Sequence, residues 1–467
     1  MKRTFMTVVF AGLISVIFSS SVFTQVLPFD REEYEARRQK MMEKIPDGIA
    51  IIFGAGEPTG YNEFSQANNF MYFTGVEIPN SILIIDGKKK ESVLFFTTSE
   101  RHAESEGVSL ELVRDPEGVT GIERYMPAER FRSMLDRYSS DDYVFYTSFL
   151  PAEIGREVAP EKFNVLKNDM IYNEWDGRLS RELQFVSLLR ERYPQNEVRD
   201  CAGEIEGLRI IKSPAEIEMI RQAGKVGVDA LTEAIRTSRT GMYEYEIAAL
   251  YEYMCKKEGV RDLAYITIIS SDKNHPYLHY HNYDRQLQEG DFLVIDAGPD
   301  VNYYDIDISI SYPASGKFTD NQKEFYIACL EIQKACLKYL KAGRTPEQVG
   351  SMARQNLQNR GFDLSAKYWD KLSGFLRRGG VSHYVGMAVH DLGGTARAEL
   401  EAGMVLAMDV YAVWEEENMG VRIEDTVVIT EEGYENLSPG LPREISEIEQ
   451  LMQSDGVIQL LKQNGRY

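Results

Sequence analysis

Phe292-Leu293-Val294-Ile295-Asp296-Ala297-Gly298, followed after a short gap by Asp307-Ile308-Ser309-Ile310-Ser311-Tyr312, is the stretch on which the reading of the fold turns. Each half is an apolar strand carrying an aspartate where alternation buries a side chain. If the intervening segment folds back about Val301-Asn302, Asp296 and Asp307 become direct cross-strand neighbours with Cβ atoms about 5 Å apart. Two like charges so placed repel, so one takes up a proton or something positive sits between them. Met404–Val413 and Val421–Thr430 repeat the arrangement. Folded about Glu416-Glu417, they set Asp409 opposite Glu424, although the longer loop Glu415–Gly420 constrains that register less tightly.

Five of the six histidines, His275, His279, His281, His383 and His390, fall in the same half of the chain, and only His102 lies outside it. Singly, each reads as a core histidine, and an aspartate near a strand end reads as a turn or cap residue. Together, four inward carboxylates and an imidazole suit one or two divalent cations of the manganese, zinc or cobalt type, a donor set unlike that of a structural zinc site or a calcium loop. Two cations sharing a water lower its pKa and polarise a carbonyl, which is the chemistry of a two-metal hydrolase.

The chain has 467 residues, 43% of them apolar, enough for two cores. A formal charge of −21 with no basic cluster excludes a nucleic-acid partner. Met1-Lys2-Arg3, an apolar run from Phe5 to Phe18 and Ser19-Ser20-Ser21 read as a signal peptide over residues 1–24, predicting an exported, periplasmic or secreted protein with no stable membrane span after cleavage. The competing reading is an uncleaved anchor, since the run stretches to about 19 residues against the ~20 that span a bilayer. No cysteine near the cleavage zone offers a lipid-attachment site. Cys201, Cys255, Cys329 and Cys336 read as buried free thiols, the last two lying in one helical stretch roughly 10 Å apart, too far for a bridge.

Residues 28–200 alternate helical patches with apolar strands at Gly48–Phe53, Ser81–Ile85 and Val93–Phe96, an α/β pattern. Gly54-Ala55-Gly56-Glu57-Pro58-Thr59-Gly60 follows a strand, but its third glycine falls one place late for a dinucleotide loop, so an extended turn is expected. A boundary is read near Cys201–Gly207, before Ser213-Pro214-Ala215-Glu216 opens a helix with a capping box and proline at its first position. Residues 205–450 then read as an α+β domain with an antiparallel sheet, followed by a tail over 451–467.

At these residues the sequence resembles the aminopeptidase P and prolidase family of pita-bread metallopeptidases, from about Phe29 to Ile448. Gln66-Ala67-Asn68-Asn69-Phe70-Met71-Tyr72-Phe73-Thr74-Gly75 is similar to that family's N-terminal signature, and Leu208-Arg209-Ile210-Ile211-Lys212-Ser213-Pro214-Ala215-Glu216 to the start of its catalytic domain. The resemblance implies five metal ligands, Asp296, Asp307, His383, Asp409 and Glu424, holding two divalent ions, manganese first with zinc or cobalt as alternatives. Asp307 and Glu424 would bridge them. It further implies that His279 and His390 bind substrate and steady the oxyanion, that Arg422 supports the site and the substrate, and that Asp409 doubles as the candidate base. The chain departs from the family where Asp409-Val410-Tyr411 replaces Glu-Pro-Gly, where Gly379 replaces the first histidine of His-Gly-x-x-His, and where Ile310 replaces an arginine. The shorter Asp409 withdraws its carboxylate by about 1–1.5 Å, a displacement that can cost on the order of a hundredfold in rate.

The expected function is therefore removal of the N-terminal residue from peptides with proline second, by a homo-oligomer whose N-terminal domain restricts the site to short peptides. A dipeptide-specific prolidase, and a metal- or peptide-binding protein with impaired catalysis, are the alternatives.

Overall fold

Apolar runs in the first 200 residues fold into one mixed sheet. Its strands are β1 (Gly48–Phe53), β2 (Ile82–Asp86), β3 (Glu91–Phe95), β4 (Arg124–Met126), β5 (Val144–Thr147) and β6 (Val198–Asp200), in the order β4-β3-β2-β1-β5-β6. The computed structural model describes residues 27–393 and 399–465, so the leader read over residues 1–24 lies outside the described residues. Both faces of the sheet are covered. Ile49, Ile51 and Ile84 pack with Met134, Leu135 and Val186, whereas Ala50, Ile52 and Leu83 pack with Tyr34, Met41 and Phe70. Burial on both sides explains why β1 and β2 read as unbroken apolar runs.

The boundary read near Cys201–Gly207 falls on a helix, Ala202–Ile210, which joins the two halves. Arg209 on that helix is buried, donating to Asn69 Oδ1 at 2.7 Å and to Asp391 Oδ1 at 2.6 Å and pairing with Glu153. Helix Pro214–Thr237 begins with the expected capping box: Ser213 Oγ accepts from the Glu216 N–H, and Glu216 Oε2 accepts from the Ser213 N–H at 2.9 Å.

The second half is built on strands β7 (Asp262–Leu263), β8 (Ile268–Ser271), β9 (Phe292–Ala297), β10 (Pro299–Val301), β11 (Tyr304–Asp305), β12 (Ile308–Pro313), β13 (Val381–Tyr384), β14 (Val405–Trp414), β15 (Met419–Ile429) and β16 (Tyr434–Asn436). Its main sheet runs β13-β14-β15-β12-β9-β8 with β16 on β15, antiparallel throughout, which is the α+β arrangement expected. β14 and β15 pair in the expected register, with Asp409 opposite Glu424. A short 3-10 turn over Glu415–Glu417 and Asn418 in the left-handed region close that hairpin.

The other hairpin differs from expectation. Asp296 faces Ser309, not Asp307, because the tip lies at Asn302-Tyr303, both with positive φ, while Asp300 pairs with Asp305 and Val301 with Tyr304. Moving the tip by one residue shifts the register by two, which keeps every side chain on its face. Asp307 therefore stays on the side of Asp296 as a diagonal neighbour.

Residues set apart as a tail dock back: helix Val457–Gln463 rests on helix Pro214–Thr237, with the Val457 N–H donating to Glu233 Oε1 at 2.6 Å. All four cysteines are buried and free, as read. Among the described residues no helix is long and apolar enough to cross a membrane.

Gly298 ends β9 where the chain crosses the start of β12 closely, and a Cβ there would lie 1.7 Å from the Ile306 carbonyl oxygen. Gly298→Ala is expected to cost about 3 kcal/mol by forcing the hairpin apart. The shift of the urea midpoint measures it.

Candidate active site

Strand pairing alone assembles most of the site. Ser309 on β12 faces Asp296 on β9 and Glu424 on β15, and Glu424 faces Asp409 on β14. Asp296, Ser309, Glu424 and Asp409 thus form one row across four adjacent strands, with Asp307 beside it. His383 comes from β13, which pairs with β14 through an irregular register. Its Nδ1 lies 3.0 Å from the Tyr384 carbonyl, so Nδ1 carries a hydrogen, and its Nε2 lies 3.5 Å from Asp307 Oδ2.

Asp296, Asp307, Asp409 and Glu424 are all at most 3% exposed. Four buried carboxylates at close quarters need positive charge, and Arg422 supplies some of it. Its Nε and Nη2 donate to Asp409 Oδ1 and Oδ2 at 3.1 and 3.0 Å, Nη1 pairs with Asp296, and Nη2 lies 3.3 Å from Glu424 Oε2. The guanidinium, cross-strand from Tyr411, lies 5.5 Å from that ring's centroid. Arg422 thus lines the cleft with its guanidinium engaged by carboxylates. The Tyr265 hydroxyl stands between two of the acids, 2.6 Å from Asp296 Oδ1 and 2.5 Å from Asp307 Oδ1, with one hydrogen to give to either. Ser309 Oγ donates to Glu424 Oε2 at 2.8 Å.

The charges respond accordingly. Burial lifts the Asp296 carboxyl to about 7, Arg422 opposing and Asp307 adding to the rise. Burial, then Asp307 and Asp409, push Glu424 well above the carboxylate range. Burial acts on Asp307 too, yet the hydrogen bond and charge of His383 hold it well below its usual value.

The donor set fits divalent cations. Asp307, His383 and Glu424 each offer a ligand atom within 4.8 Å of the others. Glu424 Oε1 is buried with no hydrogen-bond partner. Oxygen donors with one imidazole suit manganese, zinc or cobalt.

These groups open onto a cleft of about 350 Å³ whose lining includes Asp296, Asp307, Arg422, His279 and His390. The larger grooves elsewhere hold none of the expected site residues. His390 stacks at a tilt on His383, ring centroids 4.2 Å apart, and its Nδ1 lies 2.6 Å from Glu161 Oε1. Seven of the eight residues singled out in the sequence lie on this cleft or in the carboxylate row, and the eighth, His383, stands against Asp307 and His390. Tyr265, Ser309, Tyr411 and Glu161 were missed. Alternation from Asp307 would have found Ser309, and alternation from Asp409 Tyr411; no local signal marks Tyr265 or Glu161.

Two departures have structural explanations. Ile310 is fully buried and, one place on from Ser309, points to the opposite face. Gly379 has φ +63°, and a Cβ there would meet the Pro346 carbonyl oxygen at 2.6 Å and Val349 Cβ at 2.9 Å.

A family model described as Metallopeptidase family M24 matches residues 218–431, and one described as Aminopeptidase P, N-terminal domain, matches residues 34–145. The Xaa-Pro aminopeptidase of Escherichia coli is 30% identical over 454 residues, covering 90% of this chain and 98% of that protein. Mouse Xaa-Pro aminopeptidase 3 is 28% identical over 456 residues, 90% of this chain and 85% of its own. The solved structure of Escherichia coli aminopeptidase P with the inhibitor Pro-Leu superposes with a TM-score of 0.72 at 27% identity, over 91% of this chain and 98% of that one. Pseudomonas aeruginosa aminopeptidase PepP gives 0.72 at 26%, with the same coverage. Fold and site together are those of a pita-bread metallopeptidase preceded by an α/β domain. Within that class, the chain belongs to the aminopeptidase P family.

Gly379→His is expected to lower the melting temperature without raising peptidase activity, because the new side chain would point into the helix Pro346–Asn359 and strain the left-handed backbone. Thermal melts beside activity assays test this. His275 belongs to the core, its Nε2 2.9 Å from the Phe292 carbonyl, and burial pushes its pKa down to about 4. The unfolded chain binds that proton near 6.5 and the folded chain does not, so stability is complete above that value and falls as pH drops towards about 4. His275→Gln is expected to remove up to about 3 kcal/mol of this acid dependence, read from urea unfolding across the range.

Proposed function

We propose that this protein is a metal-dependent exopeptidase that removes the N-terminal residue from peptides with proline in the second position. The observation that carries the reading is the buried row Asp296, Glu424 and Asp409, with Asp307 and His383 alongside, opening onto a cleft that three further histidines line. Asp296, Asp307, His383, Asp409 and Glu424 would hold two divalent ions, for which we propose manganese. When bound, such ions supply a water-derived nucleophile at neutral pH and polarise the scissile carbonyl.

The chain's own residues do the rest. Arg422 donates to both oxygens of Asp409 and fixes the carboxyl group in place, where Asp409 would accept the proton released in the attack and pass it to the leaving nitrogen. His390 and His279, facing the cleft, steady the substrate carbonyl and the developing oxyanion. Ile266, Ile268 and Val389 give the cleft an apolar wall suited to a proline ring. The leader sequence supports export, and the family resemblance supports a homo-oligomer.

Metal content and hydrolysis of a Xaa-Pro dipeptide and a longer Xaa-Pro peptide, measured on one preparation supplied with manganese and then zinc, test the reading. Two ions per chain and cleavage before proline are expected, with the longer peptide preferred. Asp409→Glu, which restores the longer side chain, is expected to raise turnover about tenfold or more. Metal without cleavage in either protein would favour a binding protein, and an absence of bound metal would overturn the two-metal reading.

A further inference from the structure

Glu161 makes a contact at the cleft to which the proposed reaction gives no role. It lies on the helix Ala159–Leu166, between β5 and β6 of the first sheet, and reaches across to the catalytic half, where its Oε1 stands 2.6 Å from His390 Nδ1. The main chain around His390 is already held. Asp391 is clamped by Arg209 Nη2 at 2.6 Å and Lys212 Nζ at 2.9 Å, all three side chains 1% exposed, and Asn68 Nδ2 donates to the Met387 carbonyl at 2.6 Å. What those contacts leave undetermined is the rotation of the imidazole ring about its own bonds, and Glu161 is the group that determines it.

We propose that Glu161 is a positioning residue for the peptidase reaction. By accepting the Nδ1 hydrogen it leaves Nε2 as the nitrogen offered to a ligand, so the N-terminal half completes the catalytic site of its own chain. The Glu161 helix is itself tethered: Lys162 Nζ donates to the Ala152 carbonyl at 3.0 Å, and Arg156 pairs with Asp262 on β7 at 2.6 Å. His383 lies against the ring, so a turned His390 would present carbon Cε1 where Nε2 belongs while remaining in contact with its neighbour. Gly379 cannot supply a substitute donor, since its Cβ direction leads into Pro346 and Val349.

The Glu161 side chain is 61% exposed, so its removal opens no cavity, and a purely structural role would leave catalysis untouched. The kinetic part of this inference rests on the peptidase reading above. Glu161→Ala is expected to lower kcat about tenfold with KM within about twofold, because the interaction it protects strengthens in the transition state. Glu161→Gln, which keeps an acceptor oxygen, is expected to stay within about threefold of the native enzyme. Metal content and melting temperature should not change in either.

A second readout needs no turnover. In zinc-loaded protein, the downfield Nδ1–H resonance assigned to His390 by its loss in His390→Asn should persist in Glu161→Gln and vanish in Glu161→Ala. Survival of that resonance in Glu161→Ala would overturn the proposal. So would unchanged kinetics in Glu161→Ala, or a fall in Glu161→Gln as deep as that in Glu161→Ala. If the native protein cleaves no Xaa-Pro peptide, the activity reading fails while the resonance still decides whether Glu161 sets the ring.

Discussion

Mutual repulsion among four buried carboxylates is the constraint that the catalytic half is organised around. Strand pairing brings Asp296, Glu424 and Asp409 onto one face with Asp307 alongside, and a one-residue slip of β9, β12, β14 or β15 would carry its acid to the opposite face. The sheet therefore imposes the clustering, and the surroundings must make it tolerable. Arg422 grips two of the acids and touches a third, Tyr265 stands between two, and Ser309 satisfies one oxygen of Glu424. One arginine against four carboxylates still leaves excess negative charge, which is what a cation site requires.

The two halves are coupled at the same place. Arg209, on the joining helix, bonds to Asn69 and Glu153 from the first half and to Asp391 from the second, and Asp391 follows His390 directly. A buried ion pair contributes little net stability because desolvation offsets its attraction, but it penalises any arrangement that separates the partners. Here the separated arrangement would be one with the halves displaced. The cleft wall is thereby fixed by contacts that lie behind it.

Much of this was legible in the sequence, and the exceptions share a cause. The capping box at Ser213, the α/β and α+β characters of the two halves and the Asp409–Glu424 pairing follow from periodicity and turn chemistry within a few residues. The β9–β12 register was misjudged by two because the tip is Asn302-Tyr303, and a tyrosine in the left-handed region gives no sequence signal of a turn. The boundary read near residues 201–207 falls on a helix, 202–210, that buried Ile205 and Arg209 hold in place, and periodicity does not show those contacts. Tyr265 and Glu161 escaped notice because their partners lie 31 and 229 residues away and only the tertiary fold brings them near.

The row of side chains across β9, β12, β15 and β14 also has a metrological meaning. Backbone hydrogen bonds fix neighbouring strands about 4.8 Å apart, so the anchor points of Asp296, Ser309, Glu424 and Asp409 sit on a ruler whose graduations cannot be altered locally. Evolution can vary only the length of what stands on each mark, in steps of one methylene. On such a lattice no intermediate setting exists between glutamate and aspartate at position 409, and the aspartate found there is the shortest carboxylate the code provides.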